Sequence, residues 1–298
     1  MKKKYRPYGE HDIHHYKHRR RPNRSVGGDV LLYIVIGLLG LTFIFPLFYS
    51  ICNAFKPLDE LLKYPPDVIP RNPTTDNFSD LFVVMSTFTV PFTRYLFNTL
   101  FVTVVGTFGH IIIGSMAAYV LAKYRFPGST FFFKLVVTGM MFTWQVTQIP
   151  NYLIMCRLHM VDTYWSLILP AFAASTSMLL MKQFMEGFPM SIIEAAKIDG
   201  AHEWSIFMRL VMPNVKPAWL TMTIFSVNSL WNGWATNVIY TESKKMLAYA
   251  LSQVQAGGIA RTGPAAAVMV VMIIVPITLF IFSQSQIMET MATSGLKD

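Results

Sequence analysis

Six stretches of this chain are apolar over lengths suited to crossing a lipid bilayer, near residues 29–52, 94–122, 130–154, 163–185, 217–240 and 264–288. A hydrocarbon core about 30 Å thick is crossed by roughly 20 apolar residues in a helix, and each stretch reaches that length. Within hydrocarbon a helix satisfies its own backbone N–H and C=O groups, whereas a lipid-facing strand alternates apolar and polar side chains. Val30 to Phe48 is apolar almost throughout. The predicted fold is therefore an all-α membrane protein with six transmembrane helices. The third and fourth stretches are the weakest, because Gln145, Gln148, Pro150, Pro170 and Ser175 interrupt them. Composition agrees: 53% of the residues are hydrophobic and 14% charged, more apolar side chain than one soluble core needs.

The net charge of +9 raises the question of nucleic-acid binding, but the cations are placed for another task. Lys2–Lys4, Arg6, Lys17, Arg19–Arg21 and Arg24 form a basic tail over residues 1–28 that stops where the first apolar run begins. Cations there orient the helix with the tail in the cytoplasm and attract anionic lipid, so no nucleic-acid partner is expected. With six helices in that orientation, 17 of the 25 lysines and arginines are cytoplasmic and 8 external, which predicts a multi-pass plasma-membrane protein with both termini inside. The apolar run exceeds the roughly 7–15 residues of a signal-peptide core, so the first helix is expected to remain. Cys52 and Cys156 are the only cysteines. They lie outside any C-x-x-C pair or metal-ligand spacing, so no disulfide framework, metal site or bound cofactor is expected, and the tail histidines (His11, His14, His15, His18) are not read as one.

The segment 186–216 is the most informative. Ser191 and Glu194 have the spacing of a capping box that would start a short helix. Asp199-Gly200 offers a left-handed turn to stop it, and a second short helix with Trp204, Phe207, Leu210 and Val211 on one side would run to Pro213. Both are too short to span. One reading is an amphipathic hairpin lying on the membrane. The other is a docking element, because Ala195-Ala196 is small where an inserting face wants bulk, and small residues permit close approach by another protein.

Glu194-Ala195-Ala196, Asp199-Gly200-Ala201, Ile206-Phe207 and Pro213 resemble the EAA loop of binding-protein-dependent ABC importer permeases. Asn77-Phe78, Asn98-Thr99-Leu100, Ala117-Ala118-Tyr119, Arg125-Phe126-Pro127-Gly128, Ile149-Pro150, Leu169-Pro170 and Trp231-Asn232 resemble the carbohydrate-uptake branch of that family. The likeness runs from about residue 30 to the end. Met212, where relatives usually carry leucine, and the ending Ser294 to Asp298 depart from the pattern. The resemblance implies a type I ABC importer permease fold, with residues 29–298 as the transmembrane domain, an external loop at 53–93 and a cytoplasmic EAA coupling loop at 186–216. It implies a bacterial plasma-membrane location, a second homologous permease subunit, two copies of a cytoplasmic ATPase that use ATP and Mg, and an external substrate-binding protein. Glu194 would meet the ATPase, Ala195 and Ala196 would permit close packing, and Asp199, Gly200, Ala201, Phe207 and Pro213 would complete the coupling element. The imported solute would be a sugar or oligosaccharide.

No G-x-x-x-x-G-K-[ST], H-E-x-x-H or G-x-S-x-G motif occurs, so no catalytic residue is expected and the energy must come from a partner. The rival is an ion-coupled carrier, which normally places an ionisable group near the membrane midplane. Arg94, Lys134 and Asp162 lie near run ends and only His110 lies deep; it is read as a packing residue. A sugar pathway needs aromatic faces and amides to pair with hydroxyls. Trp144, Gln145 and Gln148 in the third run and Asn228, Trp231, Asn232 and Trp234 in the fifth supply both, although the same residue types also serve as interfacial anchors and helix-to-helix bridges. The proline-rich loop 56–93 is either a structured connector or a contact for an external partner.

Overall fold

The structure is a computed structural model that describes residues 26–86 and 89–294. The basic tail up to residue 25, its histidines and the ending 295–298 lie outside the described residues. Among the described residues every regular element is a helix. The described residues divide at residue 50 into two compact units. The first is built on most of α1 (Val26–Ala54), whose span Gly27–Ala54 has mean hydropathy 2.5.

The second unit holds the remaining helices: α2 (Leu58–Leu61), α3 (Asp76–Ser86), α4 (Phe92–Lys123), α5 (Ser129–Met140), α6 (Trp144–Arg157), α7 (Trp165–Phe172), α8 (Ser175–Glu186), α9 (Met190–Ile198), α10 (Glu203–Ser205), α11 (Met212–Asn214), α12 (Lys216–Trp231), α13 (Leu247–Gln255) and α14 (Thr262–Ser294). A π-helical segment, Ile206–Val211, joins α10 to α11. Among the described residues four helical stretches are long and apolar enough to cross a bilayer: Gly27–Ala54, Phe92–Lys123, Trp165–Glu186 and Gly258–Ser285.

The other two predicted spans differ from expectation, for local reasons. The run 130–154 is two helices, α5 and α6, parted at Met141–Thr143; at about 1.5 Å per residue neither 12 nor 14 residues reaches across alone. The run 217–240 stops being helical at Trp231, because Asn232-Gly233 caps α12 and the following residues turn away. Within the fourth run Pro170 removes a backbone donor near the end of α7, and a short break at Ala173-Ala174 separates it from α8.

Helix α4 is the spine of this unit and packs on α7, α8 and α12. Its glycines permit the close approach: a methyl group at Gly109 would collide with the Phe172 ring of α7. One apolar core joins α3, α4, α12, α13 and α14 through Leu81, Met85, Tyr95, Trp231, Leu247 and Val268. The loop after α1 is ordered by its own polar groups. Glu60 accepts from the amides of Arg71 and Asn72, each at 2.9 Å, and the buried Asn77 amide donates to the carbonyls of Ala54 and Lys56 at 2.9 and 2.7 Å.

Candidate functional site: a polar cavity and a projecting hairpin

A cavity of about 540 Å³ lies between α6, α7, the end of α12 and the segment 233–238. On α6 the lining residues are Trp144, Gln148, Asn151 and Met155, spaced four, three and four apart, which places them in one stripe on a helix. Ser166, Leu167 and Pro170 of α7 face them, and Ser229, Trp234, Thr236 and Asn237 close the far wall. Amides, hydroxyls and indole rings thus share an open cleft bounded by apolar side chains, an arrangement suited to a hydroxyl-bearing solute.

The wall formed by residues 232–246 is held by polar contacts, exposed at Asp162 and increasingly buried toward Asn98 and Thr99. Asp162 sits at φ 59°, a conformation that aspartate tolerates better than bulky residues. Its carboxylate accepts from the amides of Tyr240 and Thr241 at 3.0 and 2.9 Å, from the Thr241 hydroxyl at 2.5 Å and from Lys244 Nζ at 3.3 Å. The Thr241 hydroxyl, and then the Thr241 amide, hold that carboxyl well below the usual carboxylate range. On α4 the fully buried Asn98 donates to the carbonyls of Ser243 and Lys245, both at 2.9 Å, and accepts from the Tyr164 hydroxyl at 2.7 Å. The Leu247 amide donates to the Thr99 hydroxyl at 2.7 Å, and Tyr95 donates to Glu242 at 2.6 Å. Asn98-Thr99 therefore fixes a segment nearly 150 residues away in sequence.

At the other end of α4 a hairpin projects. Helix α9 ends in a Schellman closure: Gly200, at φ 80°, donates to Lys197 O at 3.0 Å and Ala201 donates to Ala196 O at 2.9 Å. The expected capping box does not form. Pro189 stands at the cap with no side-chain hydrogen bond; its fixed φ allows the helix to start at Met190, which carries Ser191 inside the first turn. Nor is the second arm a simple α-helix to Pro213, since residues 206–211 are π-helical and helix resumes at Lys216 beyond a hitch at Val215. The π segment offsets the arm's spacing, so Phe207 and Val211 are buried while Trp204 is exposed.

The hairpin is seated by Ile193, Ile206, Phe207 and Val211 against Ala118, Tyr119, Met181 and Met185. Lys197 pairs with Glu203 at 2.6 Å, and Tyr124 donates to Glu203 at 2.5 Å. The Lys197 ammonium, and then the Tyr124 hydroxyl, hold the Glu203 carboxyl below its ordinary value. Lys123 Nζ donates to Phe188 O at 2.5 Å. What remains outward is Glu194, Ala195, Ile198, Asp199, Gly200 and Pro213, all exposed, with Ala196 half-buried.

The residues proposed for a pathway divide. Trp144, Gln148 and Trp234 line the cavity, and Asn151 and Asn237 join them. Asn151 was legible as the next position of the α6 stripe; Asn237 sits in irregular backbone and carried no periodic signal. Gln145, one position off the stripe, is exposed and does not line the cavity. Trp231 does not line this cavity: it is 1% exposed and its indole N–H donates to Met272 O at 2.9 Å, which makes it a bridge between α12 and α14. Asn228 and Asn232 are exposed and do not line this cavity, and Asn232 Nδ2 donates to Asn228 Oδ1 at 2.7 Å. Phe207 belongs to the hairpin's seat, its ring between those of Tyr119 and Trp204 in tilted contacts with centroids at 5.4 and 5.7 Å, and presents little outward surface.

Comparison with known proteins places this geometry in a family. The family described as "Binding-protein-dependent transport system inner membrane component" matches residues 42–290. The arabinooligosaccharides transport system permease protein AraQ of Bacillus subtilis (strain 168) is 30% identical over 230 residues, covering 76% of this chain and 80% of that protein. Protein LplC of the same organism is 31% identical over 226 residues, covering 76% and 74%. A crystal structure of a bacterial ABC transporter involved in the import of the acidic polysaccharide alginate matches the fold with TM-score 0.75 at 24% identity, covering 89% of this chain and 99% of that one. The chain belongs to the family of inner membrane components of binding-protein-dependent transport systems, and is a multi-pass permease of the ABC importer class.

Proposed function

We propose that this chain is one of two permease subunits of an ATP-driven importer that brings a sugar or oligosaccharide into the cytoplasm by alternating access. The observation that carries the reading is the hairpin 186–216, seated by an apolar cluster while Glu194, Ala195 and Gly200 stand exposed on its outer surface. A rigid, outward-facing knob of that kind suits insertion into a cytoplasmic ATPase, with Glu194 toward a basic group and Gly200 making the turn. Two such ATPases would bind ATP and Mg, this chain binding no cofactor of its own, and their closure would draw the hairpins together and switch the pathway between inward- and outward-facing. The buried seat is what would transmit that movement to α4 and α8.

Six crossings fit the helices when α5 with α6 forms the third and α12 with the segment before it forms the fifth. Both termini then lie in the cytoplasm, the loop 53–93 outside, and the cavity nearer the external surface. Residues 29–298 act as one transmembrane domain in this reading, with the tail 1–28 held near anionic lipid. An external substrate-binding protein would deliver the solute, and the ordered loop after α1, with Tyr64 and Ile69 exposed, offers it a firm contact. The sugar class rests on relatives such as the arabinooligosaccharide permease and on the indole and amide lining of the cavity.

The test is uptake of labelled arabinan-derived oligosaccharides by cells lacking this chain and by cells in which it is restored. Restored uptake that persists with an uncoupler but falls with ATP depletion supports the importer. Uptake that collapses with the uncoupler while ATP is maintained overturns it in favour of an ion-coupled carrier.

A further inference from the structure

We propose that the cavity at Trp144 and Gln148 continues into a second chamber at His110, and that the two form this chain's share of a path for an uncharged, hydroxyl-bearing solute. The inference rests on the importer reading and extends it to a further site and a substrate class. The second chamber, about 350 Å³, is lined by His110, Thr176, Ser177, Phe225 and Ser226 among others. Ala171, Ala174, Ser229 and Leu230 line both cavities, so the two adjoin along one wall.

His110 is the pointer to a ligand. It is 1% exposed and neither ring nitrogen has a hydrogen-bond partner. The backbone of Ala171 and Phe172, at the end of α7, comes within hydrogen-bonding reach of the ring, and no contact there meets full hydrogen-bond geometry. A buried imidazole with poorly paired nitrogens is costly, and a chamber bordered by it lets a hydroxyl group or a water pair with the nitrogen that faces the chamber. Ser177, 3% exposed, and Ser226, 7% exposed, stand beside it; Ser226 accepts from Thr107 at 3.1 Å and keeps its own hydrogen to donate. Polar lining is not general in this protein. A third cavity, of about 330 Å³, lies between α4, α12 and α14 and is lined chiefly by Leu100, Val104, Phe108, Ile111, Val275 and Leu279, with Thr103 and Thr107 its hydroxyl-bearing exceptions, a largely apolar surface that suits acyl chains.

The lining also selects by charge. Among the described residues bordering either polar cavity none is Asp, Glu, Lys or Arg. Amides, hydroxyls, an imidazole and indole faces recognise hydroxyl groups and the apolar faces of a sugar ring, and they leave an anionic group without a fixed counter-charge. An acidic sugar would have to find its cationic partner elsewhere in the assembly.

The experiment uses the assembled importer in membranes, with Cys52→Ser and Cys156→Ser as background and single cysteines at Ser229, Ser177 and Val104. The probes are a glucosyl methanethiosulfonate and a sulfonated methanethiosulfonate, applied with and without ATP. The expected result is modification of the thiols at 229 and 177 at least tenfold faster than at 104 in one nucleotide state, with the glucosyl reagent favoured over the sulfonate. His110→Leu should lower uptake at subsaturating solute by about tenfold and His110→Gln by much less, with no fall in the thermal midpoint of the complex. A thiol at 229 that reacts while that at 177 stays silent in both states overturns the second chamber and leaves the importer standing. Preference for the sulfonate overturns the charge assignment. Loss of ATP dependence in the background protein itself removes the importer reading, and this inference with it.

Discussion

The two ends of α4 are fastened in opposite ways. At the cavity end, Tyr95, Asn98 and Thr99 hold the segment 242–247 by hydrogen bonds across nearly 150 residues, and Asp162 gathers three donors from residues 240–241 and an ion pair with Lys244. At the hairpin end the seat is apolar, built on Tyr119, Ile193, Phe207 and Met185, with polar contacts confined to its margin. Directional bonds fix the positions of a wall within tenths of an ångström, which a cavity that must match hydroxyl groups requires. An apolar seat tolerates small shifts while transmitting a push, which suits an element that moves as a body. The outward face of the hairpin is then left unencumbered for a partner.

That contrast can be broken from either end. The largest effect is expected from Trp231→Ala, which empties a buried indole site between α12 and α14; about 3–5 kcal/mol of stability should be lost, seen as a drop in the thermal midpoint of the purified protein. Asn98→Ala should follow, at about 2–4 kcal/mol, because the carbonyls of Ser243 and Lys245 and the Tyr164 hydroxyl lose a buried partner. Proteolysis near residues 240–246 should then accelerate, whereas cleavage in the hairpin should not. Gly200→Ala should cost about 1–2 kcal/mol in local backbone strain alone, since a Cβ there meets nothing within 4 Å. It should reduce ATPase recruitment and uptake together, and Gly200→Asn should reduce both less.

Smaller effects sharpen the comparison. Lys197→Met should alter stability by no more than about 1 kcal/mol, because the pair with Glu203 is largely exposed; a larger loss would mean that the hairpin is held electrostatically. The Asp162 carboxyl is lowered from 3.8, so its stabilisation is present above that value and is lost as pH falls through the lower folded value. The difference in thermal midpoint between wild type and Asp162→Asn should therefore stay constant from pH 8 to pH 5 and narrow only under stronger acid.

The sequence-based reading succeeded where the cause was local. Apolar length marked four long spans, and Asp199-Gly200 announced the turn that closes α9. It failed where a neighbour decided. Ser191-Glu194 has the spacing of a cap, yet Pro189 takes that position. Trp231 and Trp234 are three residues apart, and only the helix end at Asn232 sends one into the core and the other to the cavity. Asn98 carried a family likeness without a role, because its partners lie in another segment of the chain. Asn232 at the cap of α12 donates to Asn228 in its last turn, a contact that composition alone does not announce.

The measurement that bears most directly on the central claim is co-purification from detergent-solubilised membranes, wild type beside Glu194→Ala with Gly200→Ala, with identification of bound chains and assay of ATP hydrolysis. The account predicts a second permease and an ATPase with the wild type, and loss of the ATPase alone from the double variant. A wild-type chain that purifies by itself and drives solute uptake in proteoliposomes on an ion gradient without ATP would contradict it.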